Sequence, residues 1–82
     1  MFELKWEKRA LQELNKLEEF VARRILRKIN ELKENPFSKD VKRLQNLNYF
    51  RLRIGDYRTF FTIEDNQIIK IWKIGHRKNI YK

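Results

Sequence analysis

Two runs of residues, Tyr49–Ile54 and Tyr57–Ile63, separate basic from apolar side chains by simple alternation. Gly55-Asp56 lies between them, and glycine supplies the positive φ that a two-residue hairpin turn requires. Paired across that turn, Ile54 faces Tyr57, Leu52 faces Thr59 and Phe50 faces Phe61. Strand alternation then gathers Phe50, Leu52, Ile54, Tyr57, Phe61 and Ile63 on one face. The other face carries Tyr49, Arg51, Arg53, Arg58, Phe60 and Thr62. Arg53 and Arg58 fall directly opposite each other, a destabilising arrangement for like charges. Residues 36–82 contain eleven Lys/Arg and four Asp/Glu, so acidic counter-charges are scarce there. An external anion is the natural candidate. Phosphate fits, because the guanidinium fork bonds its oxygens bidentately and stays charged.

A third run, 68–74, is apolar on both faces. If Ile63 pairs with Ile68, Lys73 falls opposite Arg58, and continued alternation brings Arg77 to the same side. Trp72 is read as a core residue. The segment that follows, Gly75-His76-Arg77-Lys78-Asn79-Ile80-Tyr81-Lys82, places the single histidine close to basic and aromatic side chains. Tyr49, Arg53, Phe60, Lys73 and Lys78 are therefore candidates for RNA binding, the aromatics by stacking on bases. The plain alternative is a solvated arginine face, with Tyr81 a packing residue and His76 structural.

Several chemistries are excluded. No cysteine is present, so there are no disulfides or thiolate metal sites, and one histidine cannot build a multi-histidine site. No acidic cluster suits two-metal hydrolysis, and no glycine-rich phosphate loop occurs. Neither metal nor cofactor is expected. No stretch approaches the ~20 apolar residues that span a bilayer, and the first residues do not read as a signal peptide, so a cytoplasmic protein is expected.

The 82 residues are expected to form one domain, 1–82, of net charge +9. Residues 1–35 carry only +2 of that charge and 36–82 carry +7. Phe2, Leu4 and Trp6 alternate as a short strand. Leu11, Leu14 and Leu17, then Phe20, Val21, Ile25, Ile29 and Leu32, recur at helical spacing. One helix over 7–34 would reach ~42 Å, too long for so small a core, so an αα-hairpin bending near Glu18–Phe20 is expected. Asn35-Pro36 stops it. A connector over 37–48 is anchored by Leu44 and Leu47, and strands follow at 49–54, 57–63 and 68–74. The expected fold is α+β, ordered β-α-α-β-β-β, with two helices on one face of a small antiparallel sheet. The partner of the first strand is left open.

Leu44, the run Tyr49-Phe50-Arg51-Leu52-Arg53-Ile54-Gly55-Asp56-Tyr57-Arg58, then Ile74-Gly75-His76-Arg77 and Tyr81, resemble the RelE/ParE superfamily of type II toxins. The resemblance covers nearly the whole chain and is closest in look to RelE-type mRNA interferases. It implies a toxin, monomeric alone, that is neutralised by an acidic, partly disordered RelB-like antitoxin in a heteromeric complex. It further implies a ribosome-dependent endoribonuclease that cuts mRNA without metal, using the substrate 2′-OH. The implied catalytic residues are Arg51, Arg58, Arg77 and Tyr81, with Arg58 and Arg77 at the scissile phosphate, and His76 joins them as the imidazole available for proton transfer. The ribonuclease type carries lysine at the positions of Tyr49 and Arg51; here the first is aromatic. Two alternatives stay open: a ParE-like toxin that inhibits DNA gyrase, and an inactive basic RNA-binding relic.

Overall fold

The computed structural model describes residues 1–45 and 48–81. Its elements are β1 (Glu3–Trp6), α1 (Lys8–Asn15), α2 (Glu19–Glu31), β2 (Val41–Arg43), β3 (Tyr49–Ile54), β4 (Tyr57–Glu64) and β5 (Ile68–His76). The α+β class and the two helices on one sheet face match the expectation. β2 is an additional strand, too short to show a period in the sequence. It forms because Val41, Lys42 and Arg43 pair with Leu52, Arg51 and Phe50. Leu44 is half-buried beside it, whereas Leu47 lies outside the described residues.

The helix pair bends slightly earlier than expected. α1 closes at Lys16, whose N–H donates to the Glu13 carbonyl while the Leu17 N–H donates to that of Leu14, and Glu18 is already extended with φ −59° and ψ 148°. Ala10 and Leu14 of α1, with Ile25 and Ile29 of α2, are buried. Phe20, expected on the helical stripe, is instead 69% exposed, because the chain re-enters the helix just before it. α2 ends at Glu31 and a turn over 32–34 leads to the expected stop at Asn35-Pro36, where Asn35 Oδ1 accepts the Phe37 N–H at 3.0 Å.

The sheet order is β1-β5-β4-β3-β2. Its pairs are antiparallel except one: β1 runs parallel to β5, with Glu3 beside Ile68 and Trp6 beside Ile71. The fully antiparallel sheet expected from the sequence is thus corrected to a mixed one. The connectivity explains it. The helix pair carries the chain across the sheet to β2, and three successive antiparallel steps return β5 to the direction of β1. The core between sheet and helices includes Phe50, Leu52, Ile54, Phe61, Ile69 and Ile71.

The β3–β4 register is the expected one, with Arg53 opposite Arg58 and Phe50 opposite Phe61. Gly55 takes φ +58° in the turn. The β4–β5 register differs. Asp65 and Asn66 both adopt positive φ, and Ile63 pairs with Ile69 rather than Ile68. Continued unbroken, that register would oppose Lys73 to Thr59 on the helix side. A β-bulge intervenes: Phe61 faces Ile71 while Phe60 faces Lys73, leaving Trp72 as the extra residue. Lys73 therefore stays on the open face, opposite Phe60, and Gly75 takes the position opposite Arg58.

Candidate nucleic-acid interface

The helix-free face of the sheet presents two cross-strand rows. Lys42, Arg51, Phe60 and Lys73 form one, running from β2 to β5. Arg53, Arg58 and Gly75 form the next. Arg51 and Arg58 are diagonal neighbours, about 7–8 Å apart at the backbone. Lys42 belongs to this surface and is absent from the sequence expectation, because the strand that carries it was not foreseen.

The C-terminal turn folds back onto these rows. Ile80 is buried against Gly75, where a Cβ would meet the Ile80 side chain at 3.3 Å. Tyr81 then stacks at a tilt on Phe60, with ring centroids 5.7 Å apart, and Tyr49 flanks the same ring at 5.4 Å. Lys73 Nζ lies 5.3 Å from the Phe60 centroid. Phe60 is consequently only 5% exposed. Its expected place as an exposed stacking platform is corrected: it is the floor on which the tail rests, and Tyr81, 57% exposed, is the ring presented to solvent. Arg51 Nη1 donates to the Tyr81 hydroxyl at 2.8 Å. Burial also pushes the Tyr49 hydroxyl above its ordinary pKa, so it stays protonated.

The charges opposed across the hairpin are drawn apart. Arg53 Nη2 pairs with Asp40 Oδ1 at 3.2 Å, and Lys28 Nζ reaches Asp40 Oδ2 at 3.4 Å. The Arg53 hydrogen bond, aided by Lys28 against the penalty of burial, holds the Asp40 carboxyl below the usual range. Arg58 turns the other way, donating to the carbonyls of Gly55 and Tyr57 at 2.8 Å each. Arg53 thus has an internal counter-charge that the sequence argument did not supply. Arg77, in the turn after β5, has one too, with Nε 3.6 Å from Asp56 Oδ1. Among the described residues no carboxylate pairs with Arg51, Arg58 or Lys73.

Two placements differ from expectation. His76 pairs with Tyr57 and packs edge-on against it at 5.5 Å, on the helix side of the sheet. Its Nδ1 accepts the N–H of Lys78, so the histidine is not gathered with Arg51 and Tyr81. Lys78 is exposed in the turn that follows. Trp72, expected in the core, is turned by the bulge onto the open face. Its Nε1 donates to Thr62 Oγ1 at 2.8 Å, and Lys70 Nζ stands 4.4 Å above its ring. Lys70 is itself paired with Glu7 at 2.8 Å, which raises its pKa. A cavity of about 470 Å³ lies away from this face and is lined by Phe2, Phe37, Val41, Phe50 and Ile63 among others. Among the described residues no cluster of His, Cys, Asp or Glu could hold a metal ion, and no helix is long and apolar enough to cross a membrane.

The two-helix, mixed-sheet α+β fold matches those of solved RelE toxins. Residues 4–81 match the sequence profile of the ParE toxin of the type II toxin-antitoxin system parDE, and the chain belongs to that family. The structure is similar to the RelE–RelB complex of Pyrococcus horikoshii, with 27% identity, a TM-score of 0.82, and 95% of this chain and 97% of that one covered. It is also similar to the RelB–RelE antitoxin–toxin complex of Methanococcus jannaschii, with 25% identity, a TM-score of 0.75 and 94% of each chain covered. The isolated E. coli RelE toxin shares the fold at 22% identity and a TM-score of 0.80, with 99% of this chain and 92% of that one covered. No curated protein matches the chain.

Proposed function

We propose that this type II toxin is a ribosome-dependent endoribonuclease that cuts mRNA by metal-free phosphoryl transfer. The observation that carries the reading is the 2.8 Å bond between Arg51 Nη1 and the Tyr81 hydroxyl, on a basic face where Arg51, Arg58 and Lys73 have no carboxylate partner among the described residues. In the step, the substrate 2′-oxygen attacks the adjacent phosphorus and the P–O5′ bond breaks, giving a 2′,3′-cyclic phosphate. The 2′-OH proton leaves to solvent and the departing 5′-oxygen gains one. Arg51, with Arg58 released from its turn carbonyls, stabilises the charge that builds on phosphate. Because the Tyr81 oxygen accepts from Arg51, its own proton is directed elsewhere and can protonate the 5′-oxygen. His76, on the helix side, has no part in the step.

An acidic, partly disordered RelB-like antitoxin fits as the inhibitor, since the similar toxins of Methanococcus jannaschii and Pyrococcus horikoshii are each in complex with RelB. The +9 charge supplies attraction. Phe20, Phe37 and Leu11, all exposed, supply apolar anchors in place of the covered Phe60. Action on ribosomes implies a cytoplasmic protein. One observation favours a second reading, inhibition of DNA gyrase: the profile that matches is that of the ParE toxin. Induced expression followed by primer extension decides between them. New mRNA ends that disappear in Arg51→Ala support the ribonuclease. Growth arrest without new ends, accompanied by loss of gyrase supercoiling, overturns it.

A further inference from the structure

We infer that Trp72, with Lys70 and Thr62, forms a second nucleotide subsite beside the Arg51–Tyr81 centre, where a base stacks on the indole. The inference rests on the nucleic-acid reading above and goes beyond it, because Trp72 has no place in the cleavage chemistry. Three observations support it. First, the bulge opposite Phe60 and Phe61 turns a bulky apolar ring out of the core and onto the open face. Bulges that re-aim a side chain are common beside active sites. Second, the ring is held in place: Nε1 is bonded to Thr62 Oγ1 at 2.8 Å, which fixes its orientation before any ligand arrives. Third, Lys70 stands over the ring at 4.4 Å while pairing with Glu7 at 2.8 Å. An entering nucleotide can take the ammonium's place over the indole and offer its own phosphate to Lys70.

The spacing agrees. Thr62, the partner of Trp72, lies two residues along β4 from Phe60, the floor under Tyr81. Two residues of strand span about 7 Å. Two stacked nucleotides, at about 3.4 Å each, cover the same distance. Phe60 itself is covered, so Tyr81 and Trp72, with the half-buried Tyr49, are the rings this face offers to neighbouring bases. A stacking subsite tolerates any base, so it should add affinity and set the register of the strand rather than read sequence.

The test uses the full chain and an unlabelled, uncleavable 2′-O-methyl hexaribonucleotide, in a Trp6→Phe background so that Trp72 alone reports fluorescence. Binding should quench that fluorescence. In a parallel anisotropy titration with labelled oligonucleotide, Trp72→Leu should weaken binding about 5- to 150-fold, the range for loss of one stacked base. Trp72→Phe should keep most of the affinity, and its folding by circular dichroism guards against a collapsed leucine variant. Binding that Arg51→Ala weakens, but that neither quenches Trp72 nor responds to its replacement, overturns the subsite and leaves the open-face reading standing. No binding at low salt, or binding indifferent to both Arg51 and Trp72, overturns both.

Discussion

Arg51 and Arg58 occupy neighbouring positions on one sheet face, yet their guanidinium groups are held by different partners. Arg51 meets a side-chain hydroxyl at the end of a tail, whereas Arg58 is spent on two backbone carbonyls of its own turn. Their alanine variants should therefore separate. Arg51→Ala should lower ribosome-dependent cleavage ~10²–10³-fold, the usual cost of losing a preorganised charge at the reacting phosphate. Tyr81→Phe keeps its ring on Phe60 and should leave stability within about 0.5 kcal/mol while lowering cleavage at least ~10²-fold. Arg58→Ala should in addition cost about 1 kcal/mol of stability, read as a fall of ~4–8 °C in Tm. Asp40 gives the residue-scale pH dependence. Its carboxyl is held low, first by Arg53, so its contribution to stability is present above the unfolded value near 3.9 and lost as pH falls below it. Urea titrations of the wild type and Asp40→Asn should differ most at about pH 5 and converge toward pH 3.

At the scale of elements, the hairpin was legible because three signals agreed: strict alternation, a glycine at the turn, and a two-residue loop that permits one register. The helix pair was legible by its period, but its bend was expected slightly late, near Glu18–Phe20, because no glycine or proline marks the turn over 16–18 that ends in the extended Glu18. The β4–β5 register was illegible for a physical reason. β5 is apolar on both faces around Ile68–Trp72, so no alternation penalises a slip, and a bulge adds a second shift that restores the phase at Lys73. The same bulge explains why Trp72 reads as core from sequence and stands outside it in the fold. Arg51, Arg53 and Arg58 could be placed on one face, but their ion pairs could not, because Asp40 comes from a connector with no period. Nor could a sequence show that the tail returns over Phe60. Gly75 leaves room for that return, because an added Cβ would stand 3.3 Å from Ile80 and push that side chain back by a few tenths of an ångström. Gly75→Ala should lift the C-terminal turn from the sheet. The expected result is loss of the Arg51–Tyr81 contact and of cleavage, with the Tm lowered only a few degrees because the rest of the sheet does not use that position. Loss of protection at the Ile80 amide, which bonds the His76 carbonyl, would report the lifted turn by hydrogen exchange.

For the whole molecule, a net +9 on 82 residues guarantees attraction to any polyanion, so affinity alone says little about the site. The dependence on salt says more, because each phosphate contact releases counterions and adds about −0.7 to the log–log slope for a single strand. The internal ion pairs sort the charges. Arg53 is engaged with Asp40 and Arg77 with Asp56, so each gains less from a phosphate than a cation without a carboxylate beside it. Lys42, Arg51, Arg58 and Lys73 remain to make contacts on the open face, which predicts a slope of about −3 for a short single strand. Arg51→Ala should flatten it by about 0.7, whereas Arg53→Ala should change it little. Asp40→Asn should steepen it by up to about 0.7, since it frees Arg53 to join the track. Anisotropy titrations from about 50 to 200 mM salt would measure all three. Equal flattening by Arg51→Ala and Arg53→Ala would mean that the Asp40 pair does not restrain Arg53 in solution. A slope that none of the three variants alters would place the polyanion on the helix side, where Arg23, Arg24 and Arg27 lie exposed along α2.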